Sequence, residues 1–194
     1  MIAGHFGFAA AVKSQQRQVP LWALMLGSVW LDIVFVPLLL AKVETLEPVP
    51  GSTGGYGAHI IHADYTHSLV GAVLLSCLYS AFFLRSGART SIVLGLVSFS
   101  HWVLDLVVHR ADMPLLPGNY GNYPRLGFGL WRYPAMSVAV EGALVVLGAW
   151  LYWRAARAAA SSAGSRRWLA NLCGLLILLG GLGVLALDVS GIAG

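Results

Sequence analysis

Ser91-Ile92-Val93-Leu94-Gly95-Leu96-Val97-Ser98-Phe99-Ser100-His101-Trp102-Val103-Leu104-Asp105-Leu106-Val107-Val108-His109 decides the architecture. It is an apolar run of the length that crosses a bilayer core, about 20 residues. Yet it carries His101, Asp105 and His109. An ionisable side chain at the centre of a spanning helix costs about 2.5–3.5 kcal/mol on insertion scales. At i, i+4 and i+8 the three share one helical face. The run therefore reads as a membrane helix that turns a polar stripe inward and apolar residues towards lipid.

Four further runs have the same character, at 20–41, 66–84, 133–153 and 168–187. Of the 194 residues, 58% are hydrophobic and 10% charged, against roughly 25% charged in ordinary soluble domains. The expected fold class is all-α: one integral membrane domain over 1–194, a polytopic bundle of five transmembrane helices. Residues 2–12 are apolar but too short to cross, and read as a re-entrant or interfacial helix. Dipping inward from Lys13, such a helix carries His5 about 12 Å into the bundle. Glycine and proline mark 42–62 and 110–132 as loops, and 155–165 reads as a flexible connector.

The charge balance points to a membrane and away from nucleic acid. Lys13, Arg17, Arg85, Arg89, Arg154, Arg157, Arg166 and Arg167 fall on one side of alternating spans. Only Lys42, Arg110, Arg125 and Arg132 fall on the other. By the positive-inside rule the N-terminal linker is cytoplasmic and the C-terminus exoplasmic. The lipid bilayer is the expected partner. Cys77 and Cys173 lie inside apolar runs without metal-type spacing and read as packing residues.

Depth along the spans brings the polar residues together. Asp32 lies roughly 18 Å beyond Pro20, His101 near 15 Å into its own span, and Asp105 about 6 Å further on. His109 and His67 mark the exoplasmic edge, with His62 and Asp64 just before His67. Glu141 enters from the same side, roughly 12 Å deep. Mixed imidazole and carboxylate donors suit zinc and other divalent first-row metals, and a cation offsets carboxylates that would otherwise repel one another. His5, Asp32, His62, His67, His101 and Asp105 are the candidate metal ligands, and Asp64 and Glu141 the candidate catalytic groups. Arg110 and Asp112 read as solvated loop residues, His59 as exposed, and Asp188 as an ordinary interfacial carboxylate.

These residues also carry a resemblance. Gly4-His5, His62-Ala63-Asp64-Tyr65-Thr66-His67-Ser68 and Ser100-His101-Trp102-Val103-Leu104-Asp105 occur in the order seen in a family of bacterial inner-membrane proteins, the membrane-bound metal-dependent hydrolases. The likeness covers about the first 110 residues. Where that family has Pro-Asp-x-Asp, this chain has Leu31-Asp32-Ile33-Val34, and Asp64 replaces a glycine. One expected carboxylate is missing, which favours one metal ion over two.

The resemblance implies a metal-dependent hydrolase in the bacterial inner membrane. The expected substrate is a lipid-like ester or phosphoester met at the exoplasmic leaflet. The alternatives are an ion- or proton-conducting or metal-handling membrane protein, and an accessory subunit of a membrane complex.

Overall fold

The computed structural model describes residues 1–52, 54–162 and 167–190. Its first element, α1 (Ile2–Gln15), buries Ala3, Gly4, His5, Gly7, Ala9 and Ala10. It therefore runs inside the bundle, and does not lie flat on its surface. Small residues make this possible, because they let helix backbones approach closely. A Cβ on Gly7 would lie 2.5 Å from the Leu144 carbonyl oxygen, and one on Gly148 only 2.0 Å from that of Gly7. Both contacts are far too short, so glycine is required on each side.

The run at 20–41 is not one straight helix. It forms α2 (Leu21–Ser28) and α3 (Trp30–Leu40), bent by 47° at Val29. Broken helix at membrane depth is tolerated where the freed backbone meets protein or a polar site. Here the Ser28 carbonyl finds a histidine. Residues 42–62, expected as loop, contain an antiparallel hairpin of β1 (Thr45–Pro48) and β2 (His59–His62), with Thr45 opposite His62 and Pro48 opposite His59. The Ile60-Ile61 pair favours a strand. Gly51, Gly54, Gly55 and Gly57 adopt the positive φ that the long turn needs.

The helices that follow are α4 (Leu69–Ala81), α5 (Ala88–Val108), α6 (Pro134–Ser162) and α7 (Arg167–Ser190). The expected count of five spans is corrected. Among the described residues only α5, α6 and α7 are long and apolar enough to cross alone, with a fourth span where the bent α2–α3 pair counts as one. Helix α4 is shorter than the run at 66–84 because the Ser68 hydroxyl caps it, accepting from the Gly71 N–H at 3.0 Å. Its 13 residues reach about 20 Å, against the roughly 30 Å of a hydrocarbon core. Helix α6 also continues through much of the connector expected at 155–165. The remainder of that connector, with Arg166, lies outside the described residues.

The core on the side away from the site is mostly apolar: Ala9, Val19, Ala23, Leu24, Tyr79, Leu94 and Val97 pack together, beside hydrogen-bonded Ser76–Ser98 and Ser80–Ser91 pairs between α4 and α5. The Tyr79 hydroxyl donates to the Ala23 carbonyl at 2.7 Å and closes α4 on α2. Leu175, Leu176 and Leu179 of α7 face outward, as expected where the surroundings are lipid.

Candidate metal centre

Four side chains from three parts of the chain meet in the bundle. Asp32 sits in the first turn of α3, where a carboxylate suits the helix dipole. His67 lies in the turn before α4, and His101 and Asp105 are one turn apart on α5. His67 Nε2 lies 3.2 Å from His101 Nε2. Asp32 Oδ1 is 3.5 Å from each of those nitrogens. Donors bound tetrahedrally at about 2.0–2.2 Å stand roughly 3.3–3.6 Å apart. The triangle of Asp32, His67 and His101 has that size. Asp105 Oδ2 approaches from the side, 3.0 Å from His101 Nε2 and 3.7 Å from His67 Nε2.

Hydrogen bonds decide which imidazole nitrogens carry the protons. His101 Nδ1 donates to the Ser28 carbonyl at 2.8 Å, the oxygen left free by the break at Val29. His67 Nδ1 donates to Thr66 Oγ1 at 2.8 Å. The Thr66 hydroxyl in turn donates to the Glu44 carboxylate, its oxygen 3.0–3.1 Å from both carboxylate oxygens. His109 Nδ1 donates to Asp112 Oδ1 at 3.0 Å.

With Nδ1 bonded to an oxygen in each, all three rings turn Nε2 inward, with His109 Nε2 3.8 Å from Asp105 Oδ2. Histidine ligands are held in this way, with the outer nitrogen bonded to a carboxylate, carbonyl or hydroxyl. The two Nε2 atoms of His67 and His101, 3.2 Å apart, call for a proton or a cation between them. The His/Asp cluster can hold a metal ion.

His5 joins the same cluster from α1. Its Nε2 lies 3.1 Å from Asp105 Oδ1, and its ring stacks on His101 with centroids 3.9 Å apart. It forms a second three-residue group with His101 and Asp105. Both groups draw on His101, whose Nδ1 is already bonded to Ser28.

The other expected residues lie elsewhere. His62 stands at the surface of β2, 3.4 Å from Glu47. Asp64 is bound by Arg125 at 2.6 and 3.0 Å; the carboxylate raises the guanidinium pKa above its ordinary value. Glu141 is fully buried behind His5, accepting from the Gly4 N–H at 3.1 Å and from the Tyr56 hydroxyl. Burial, and then that bond, push the Tyr56 phenol above its ordinary range, so Tyr56 remains a donor. His59 is half-buried and lines a cavity beside the cluster.

Asp112 was expected in solvent but is buried, holding His109 and accepting from the Ile61 N–H at 3.3 Å. Arg110 donates to the Gly57 carbonyl at 2.8 Å. Asp188 is buried at the wall of the same cavity.

Glu44 and Thr66 are the residues that sequence reading missed. Glu44 follows α3, and besides the Thr66 hydroxyl it accepts from the Tyr65 and Thr66 N–H groups at 2.9 and 2.8 Å. It joins the segment carrying Asp32 to the turn carrying His67. The one available signal is a lone acidic residue among Lys42-Val43-Glu44-Thr45-Leu46, where nothing local demands a charge.

The chain matches no known protein family, no curated protein and no solved structure.

Proposed function

We propose that the protein is a multi-pass bacterial inner-membrane hydrolase that holds one divalent metal ion, zinc by donor type. It acts on an ester or phosphoester of a lipid-like substrate at the exoplasmic leaflet, with its N-terminal linker cytoplasmic. The observation that supports this most is the common orientation of His67, His101 and His109. Each has its Nδ1 bonded to an oxygen, and its Nε2 turned towards Asp32 or Asp105.

Asp32, His67 and His101 would hold the ion, three protein ligands leaving a position open as catalytic sites do. A divalent ion supplies Lewis acidity and renders a water acidic near neutral pH. His5 holds Asp105 Oδ1, so that Oδ2 stays turned to the two histidines. Asp64 and Glu141 are committed to Arg125 and to Tyr56 with Gly4. That leaves His109, at the cavity wall with Nε2 free and Asp112 behind it, as the group placed to take up a proton. Ala9, Leu24, Leu94 and Val97 pack together on the other side, which favours a hydrolase over a conduit.

The test is elemental analysis of detergent-purified protein, alongside hydrolysis of p-nitrophenyl acyl esters and bis-p-nitrophenyl phosphate. One metal ion per chain is expected, with metal and hydrolysis both lost in His101→Ala. Metal unchanged in that variant overturns the site. Bound metal without hydrolysis of either probe type withdraws the enzymatic reading and leaves metal handling.

A further inference from the structure

A cavity of about 320 Å³ adjoins the cluster, with Asp32, His67, Asp105 and His109 in its wall. Most of the remaining wall is apolar: Phe35, Val36 and Leu39 come from α3, and Leu46 and Ile61 from the hairpin. Asp32, Phe35, Val36 and Leu39 are spaced i, i+3, i+4 and i+7, so one face of α3 supplies both the carboxylate and the apolar wall. Val36 and Leu46 line the cavity and are also 50% and 38% exposed. They therefore stand at its rim, between α3 and the hairpin. Helix α3 is part of the bent pair that can make one span, so this mouth lies where that span meets the hairpin.

The described wall contains no lysine or arginine to hold an anionic group away from the cluster. A mostly apolar cavity of this size with a few convergent polar groups is the usual form of a small-ligand site. Its volume takes about ten groups the size of a water molecule or a methylene.

We infer that this cavity binds a single-chain membrane amphiphile, its polar end at the cluster and its tail passing out between Val36 and Leu46 into the bilayer. The inference rests on the reading of the cluster as the reacting end and names the substrate class: one acyl chain, delivered sideways from the leaflet.

The test is photolabelling of the whole purified chain with a lysophospholipid bearing a diazirine in its tail, read by peptide mass spectrometry with and without a chelator. Labelling of Phe35, Val36, Leu39 or Leu46 is expected at least fivefold above that of Leu176 and Leu179, which face outward on α7. Filling the cavity by Leu39→Trp, or the rim by Leu46→Trp if the first variant fails to fold, should bring it down to the α7 level. Labelling no richer than on α7, or indifferent to a folded filling variant, overturns the inference. No hydrolysis enters this readout. A metal-free protein that still labels as expected removes the catalytic reading alone, whereas a metal-loaded protein with background labelling removes this one alone.

Discussion

Replacing Thr66 by valine removes one hydroxyl and keeps the shape of the side chain, so it tests whether Glu44 and Thr66 orient His67. In the native site the Thr66 oxygen accepts from His67 Nδ1 at 2.8 Å and donates to Glu44. Without it the buried Nδ1–H has no acceptor, at about 1–3 kcal/mol. Moving the proton to Nε2 relieves this, but then the proton points at His101 Nε2, 3.2 Å away. That tautomer cannot bind metal.

Loss of such a supporting partner lowers metal affinity about 10–100-fold, or roughly 1.4–2.7 kcal/mol. The turn itself should survive, because Glu44 keeps the Tyr65 and Thr66 N–H donors. Competition against a chromophoric chelator in detergent measures the affinity, and thermal unfolding of the chelated protein measures the fold. Thr66→Ser restores the hydroxyl and should return affinity to within about threefold of wild type. A folded valine variant with wild-type affinity, or a serine variant as weak as valine, refutes the argument.

Two further substitutions test the frame around the site. Gly148→Ala places a Cβ 2.0 Å from the Gly7 carbonyl oxygen and should cost about 1–3 kcal/mol or more by overpacking. It appears as a lowered Tm, whereas Gly183→Ala, with nothing within 4 Å of its Cβ, should leave Tm unchanged or slightly higher. Asp64→Asn weakens a bidentate ion pair whose side chains are about a quarter exposed, worth about 1.5–3 kcal/mol of stability. Metal content should stay at the wild-type level, and its loss would return Asp64 to the ligand set.

What could be read in advance follows the distance over which each interaction acts. His101, Asp105 and His109 lie within three turns of one helix, where spacing alone puts them on a common face. Asp32 and His5 were reachable by counting depth from span ends, since every helical residue advances by the same rise. His62 and Asp64 were drawn in by their nearness to His67 in sequence. In the fold the strand ending at His62 turns that side chain outward, and Asp64 meets Arg125, 61 positions away. Nothing in the local pattern around Asp64 encodes that partner. The bend at Val29 had only the local signal of Gly27-Ser28, a pair that can kink a helix, because what stabilises it is a histidine 73 positions later.

By itself the sequence determined a helical membrane protein with a His and Asp stripe on one span. Apolar runs and helical periodicity are properties of neighbouring residues, and they survive without knowledge of the rest of the chain. Only the tertiary structure decided which histidine nitrogens are bonded outward, which carboxylates are already paired, and where a cavity adjoins the cluster. Those depend on hydrogen-bond partners brought in from distant segments: Ser28 for His101, Glu44 through Thr66 for His67, and Asp112 for the ring of His109 at the end of α5.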